Sequence, residues 1–174
     1  MLPSLIPVLL GAALLTSACS PVYNWRDVRV PQANLKVLLP CKPDHGTRTM
    51  KLAGQDVEVV MVGCETGSVL FAVSHVDMRD ESKLQAALAQ WKNTMLANMR
   101  AQQGMKSSTF ATDRASTQPI RVRLTASGQR PDGSAVTAQA EWLVRGTHLY
   151  HAVVYAEKLN QEAVETFFSG IEIQ

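Results

Sequence analysis

The chain has 174 residues, 46% of them hydrophobic and 18% charged, and 17 Lys and Arg against 15 Asp and Glu leave a net charge of +2. This length and composition describe one globular domain and exclude a disordered or low-complexity chain. The charge is close to balance and the basic residues are scattered, so nothing in it supports a nucleic-acid partner or a polybasic membrane patch.

The first charged side chain is Arg26. Ahead of it, Leu5 to Leu15 is almost wholly apolar. That fits the ~7–15-residue hydrophobic region of an export signal and falls short of the ~20 residues a helix needs to span a bilayer. Thr16, Ser17 and Ala18 then supply small side chains ahead of a cysteine. The run Leu15-Thr16-Ser17-Ala18-Cys19 resembles the lipobox of bacterial lipoproteins, although that family prefers its leucine one residue closer to the cysteine. The resemblance implies cleavage before Cys19, diacylglycerol on its sulfur and an acylated new N-terminus. Each buried CH₂ contributes ~0.8 kcal/mol, so two or three chains hold durably where one binds marginally. Ser20 stands where an Asp favours the inner membrane, so the same resemblance implies the outer membrane with the domain facing the periplasm. The expected organisation is a signal peptide at 1–18, a lipidated N-terminus and tether at 19–34, and a single α+β domain at 35–174.

Strand signals follow in close succession. Leu35 to Leu39 is extended and stopped by Pro40; Thr47 to Leu52 alternates weakly; Ala53-Gly54-Gln55 makes a turn. Asp56 to Cys64 is Val-rich, and Ser68 to Val76 is apolar on both faces in its middle, as a central strand is. Their hairpin spacing predicts an antiparallel meander. Ser82-Lys83-Leu84-Gln85 has the form of a capping box, and Leu84, Leu88, Trp91, Met95 and Met99 recur as one apolar stripe, which predicts a helix reaching Arg100. A short strand is expected at Ser108 to Ala111. From Ile120 the chain alternates, with Ile120, Val122 and Leu124 on one face and Arg121, Arg123 and Thr125 on the other. Ser127 to Gly133 reads as a hairpin loop, Ser134 to Arg145 as the returning strand, and His148 to Ala156 as its partner across Gly146-Thr147. Asn160 caps a last helix, Gly170 stands at its C-cap, and Ile171 to Gln174 suits an edge strand.

Strands with interleaved helices predict an α+β fold: a largely antiparallel sheet with helices packed on its faces. LKVLLP, VSHVDMRD leading into the first long helix, and THLYHAVVYA leading into AVETFFSG resemble small proteobacterial lipoproteins with a PsbP-like α/β/α sandwich domain. That likeness covers residues 35 to 172 and implies a binding or assembly-assisting protein. It carries no functional residue onto this chain beyond the lipobox Cys19.

Candidate chemistry is sparse. With Cys19 given to lipid, Cys41 and Cys64 remain as an even pair. In an oxidising compartment this favours a disulfide over two free thiols or a metal site, and it would close a loop of about 23 residues. His148 and His151 are three apart on a predicted strand and therefore point to opposite faces, so they do not chelate together. A two-residue turn at Gly146-Thr147 sets His151 opposite Trp142. No nucleophile elbow, zinc-protease helix or phosphate loop is present, and no catalytic residue, metal ligand or cofactor is expected. Arg121 and Arg123 share the outer face of one strand and are the candidate partner-binding residues. The expectation is a non-catalytic, membrane-anchored lipoprotein that binds or scaffolds an envelope protein; the alternative is a periplasmic carrier of a small apolar ligand held between sheet and helix.

Overall fold

A computed structural model describes residues 22–101, 106–110 and 120–174, with backbone alone at 106–110 and 120. The signal segment and Cys19 lie outside the described residues. Among the described residues, ten strands follow in chain order: β1 (Arg26–Val30), β2 (Leu35–Leu39), β3 (Asp44–Leu52), β4 (Gln55–Thr66), β5 (Val69–Asp77), β6 (Lys106–Phe110), β7 (Ile120–Gln129), β8 (Ala135–Arg145), β9 (His148–Ala156) and β10 (Glu172–Ile173). Helix α1 (Leu84–Asn98) joins β5 to β6, and α2 (Gln161–Ser169) joins β9 to β10. Seven strands form one sheet in the order β3-β4-β5-β9-β8-β7-β6, and three form another in the order β1-β2-β10. Every pairing is antiparallel.

Each face of the large sheet has its own core. On one, α1 lays Leu84, Ala87, Trp91 and Met95, with Met99 at its C-cap, over Val59, Val76, Ala140, Trp142 and Val153. On the other, the small sheet contributes Val28, Val30, Leu35, Val37 and Leu39, and α2 contributes Ala163, Val164, Phe167 and Phe168, around Phe71, Val73, Tyr150 and Val154.

This second core overturns the expected α/β/α sandwich. The molecule is β-rich, and the face opposite α1 is covered largely by a second sheet instead of by helices alone. The reason lies in Arg26-Asp27-Val28-Arg29-Val30. Its three charges suggest a solvated tether, yet Val28 and Val30 are buried and the segment is β1, paired along its length with β2. Strand β2 therefore belongs to the small sheet and not to the meander, which begins at β3. Tyr23 and Trp25 also pack on Phe71, so the chain is docked from its first described residues.

Local differences have equally local causes. Asp80, not Ser82, opens the first helical region, its carboxylate accepting from the Ser82 amide and hydroxyl across a 3-10 turn at Glu81–Lys83 before α1 begins. The apolar stripe of α1 is otherwise as expected, with Ala87 deeper than Leu88. Asn160 caps α2 by accepting from the Ala163 amide. Gly170 follows α2 with φ −82°, so left-handed freedom is not its role. A Cβ there would come within 2.5 Å of Leu38 Cβ, and glycine is what lets α2 close onto β2.

Cys41 and Cys64 form a disulfide that ties the end of β2 to β4, across a separation of 23 residues. It joins the two sheets through their shared core. Replacing both cysteines by serine is expected to lower unfolding free energy by about 3 kcal/mol. Urea unfolding of the variant beside the parent checks this, and an unchanged midpoint would contradict it.

Candidate functional site

The antiparallel register of β5 and β9 sets Asp77 opposite His148 and His75 opposite Tyr150. Alternation along a strand puts all four side chains on the small-sheet face. His75 Nε2 and His148 Nδ1 lie 3.0 Å apart, with their rings stacked at 5.1 Å between centroids. Tyr150 lies against His75 at 4.8 Å and donates its hydroxyl proton to the Ala33 carbonyl at 2.9 Å. Asp77 accepts from the Thr147 hydroxyl at 2.7 Å and from the Arg79 amide at 2.8 Å. Beside them opens a cavity of about 300 Å³, lined by Gln55, Asp56, Glu58, His75, Asp77 and Arg79 among others.

The electrostatics of this cluster follow from burial. His75 is pulled down to about 4, first by desolvation and then by the neighbouring His148, with Asp77 opposing both. His75 is therefore neutral at neutral pH. Asp77 is held below the ordinary carboxylate range, chiefly by the Thr147 hydroxyl and then by the Arg79 amide. Burial raises the Tyr150 phenol, which therefore remains a donor. Among the described residues, no three His, Cys, Asp or Glu side chains converge in a way that would hold a metal ion. The arrangement suits polar recognition: hydrogen-bond donors and acceptors of both signs line the cavity floor and rim.

Sequence reasoning missed this pair. His148 and His151 do face opposite sides, but the partner of His148 is His75, which is 73 residues away. His151 lies on the α1 face, stacked on Trp142 at 4.7 Å and close to Trp91 at 5.3 Å; it pairs with Trp142 in register, as the turn predicts. Among the described residues, its Nε2 and the Trp142 Nε1 are buried and find no hydrogen-bond partner. Burial pulls His151 down to about 3.

Arg121 and Arg123 do share a face, but neither guanidinium is free. Both donate to Glu141, a β8 carboxylate that is only 1% exposed. Arg121 meets Oε1, and Arg123 meets Oε2 through Nε at 3.1 Å and a terminal nitrogen at 2.8 Å. Arg123 also lies over the Phe168 ring at 5.5 Å. The two arginines keep 38% and 41% of their side chains exposed, so the triad presents one net positive charge at the surface.

No protein-family model matches the chain, and no curated protein matches it. A crystal structure of a Pseudomonas aeruginosa protein of unknown function is similar at 16% identity, covering 76% of this chain and 82% of that one, with a TM-score of 0.32. A likeness at that level carries no argument about fold or function.

The two depressed histidines make stability pH-dependent. Each binds a proton more readily in the unfolded chain, whose histidines titrate near 6.5. Stability is therefore complete above about pH 6.5 and is lost as pH falls toward 4, by up to ~1.4 kcal/mol per pH unit per histidine. Urea midpoints between pH 7.5 and 4.5 check the slope. His151→Phe, which removes the titration and the unpartnered nitrogen together, is expected to flatten it without loss of stability at neutral pH. A slope unaltered by His151→Phe would contradict this assignment.

Proposed function

We propose that this chain is a non-catalytic, membrane-anchored lipoprotein of the bacterial envelope that binds a periplasmic or outer-membrane protein partner. The Cys41–Cys64 disulfide carries the reading. Such bonds persist in oxidising compartments, and here the bond follows a sequence whose first residues resemble a lipoprotein export signal ending at Cys19. The described residues contain no helix long and apolar enough to cross a membrane, and the reading takes lipid on Cys19 as the anchor. Two surfaces suit a polar partner: the cavity beside His75, and the Arg121–Glu141–Arg123 triad with its outward positive charge.

The alternative, a carrier of an apolar ligand between sheet and helix, draws no support from the interior. Trp91, Met95, Met99 and Trp142 fill that space, and the cavity elsewhere has a polar lining.

Photo-crosslinking in intact cells tests partner binding, with a benzophenone amino acid in place of Glu58 at the cavity or of Thr125 beside the arginines. One discrete crosslinked product from either position, absent when the probe replaces Glu162 on α2, is the expected result. Monomer at every position would contradict the reading.

A further inference from the structure

The described chain begins three residues after the cysteine proposed to carry lipid, and what holds it there fixes which end of the domain meets the membrane. Val22 is separated from Cys19 by Ser20 and Pro21 alone. Three residue steps reach at most ~11 Å. Val22 is not free to swing: its carbonyl accepts from the Thr66 hydroxyl at 3.0 Å, and its side chain lies against Gly67 in the turn between β4 and β5. Tyr23 and Trp25 then pack on Phe71, and the Asn24 amide donates to the Pro40 carbonyl at 2.7 Å.

An independent observation points the same way. Among the described residues, Val22 and Leu70 are the large hydrophobic side chains left exposed, at 63% and 37%. Val22 lies against the β4–β5 turn at Thr66 and Gly67, and Leu70 is the second residue of β5 after it. The charge at this end of the sheets is mixed: Lys42, Glu65, Glu157 and Lys158 are all exposed, and Glu65 stands opposite Leu70. The far end of β5, at Asp77, lies roughly 23 Å away at the rise of an extended strand.

We infer that the β4–β5 turn, with Val22 and Leu70, rests on the lipid bilayer, so that the His75–His148 cavity at the opposite end of the sheet faces away from the membrane. This rests on acylation of Cys19. The occupant of this end is the bilayer interface: covalent reach brings it there, and exposed Val and Leu side chains suit the boundary of the acyl chains. The orientation presents Asp56, Glu58 and Asp77 to the periplasm, away from anionic headgroups, and leaves the cavity open to a partner.

Bromolipid quenching tests this on the full chain purified from bacterial membranes. Leu70→Trp and Glu58→Trp are each placed in vesicles of phosphatidylethanolamine and phosphatidylglycerol brominated high on the acyl chain, and the emission added over the parent is read. Intact mass on the same samples reports acylation. Loss of the added Leu70→Trp emission, with that of Glu58→Trp retained, is the expected result; Val22→Trp serves as a second reporter if Leu70→Trp does not fold. An acylated, vesicle-bound chain in which neither added emission is lost, or only that of Glu58→Trp, overturns the orientation and leaves the anchor standing. A chain without acyl mass overturns both.

Discussion

Replacing Arg121 and Arg123 together by methionine is expected to lower the unfolding free energy by about 3–5 kcal/mol, because it leaves Glu141 buried without its cations. Both arginines are roughly two-fifths exposed, whereas the carboxylate between them is 1% exposed. Removing the cations therefore strands the charge with the greatest desolvation cost. Adding Glu141→Leu to the double variant should recover most of the loss, since a well-packed apolar group in place of a buried ionic cluster is often neutral or better. Urea midpoints of parent, double and triple variants give the comparison. A double variant within about 0.5 kcal/mol of the parent would mean that water reaches Glu141 and that the clamp contributes little. The same geometry bears on the partner question. Charge reversal at these arginines would place three carboxylates together and unfold the site, so loss of a partner on reversal would not distinguish binding from folding.

Phe71→Ala is expected to cost about 3–5 kcal/mol, the range for deleting a fully buried aromatic side chain. Phe71 is 0% exposed and meets Tyr23, Trp25 and Phe167 at 6.1, 6.0 and 5.5 Å between centroids. It is thus the point where the N-terminal segment, the large sheet and α2 meet. The loss should be accompanied by release of the N-terminal segment, seen as new protease cleavage between Val22 and Arg26 under native conditions. Cleavage there in the parent chain at the same rate would contradict the docked arrangement of Tyr23 and Trp25.

Much of the chain was legible because its signals are local. Val-rich strands β4 and β5, the alternation of β7, the turn at Gly146-Thr147 and the Asn160 cap each depend on residues within a few positions of one another. What escaped was long-range or masked by charge. Arg26 to Val30 carries its apolar pattern on only two residues, and its strand identity comes from pairing with β2. Missing it turned a sheet-covered face into an expected helical one. The clamp on Glu141 was missed because a loop at Ser127 to Gly133 sets Arg123 opposite Thr137, whereas β7 and β8 run on to Gln129 and Ala135 and so set it opposite Glu141. The His75–His148 pair was not within reach, because β5 and β9 become neighbours only when two meanders join edge to edge, and no local pattern announces that junction.

The anchor decides whether the disulfide, the docked N-terminus and the outward cavity belong to one account. The most direct measurement is the intact mass of the protein extracted from membranes, before and after reduction. The account predicts a chain starting at Cys19 that carries acyl mass and gains about two hydrogen masses on reduction. A chain that retains residues 1–18, or that starts near Cys19 without acyl mass, would contradict it.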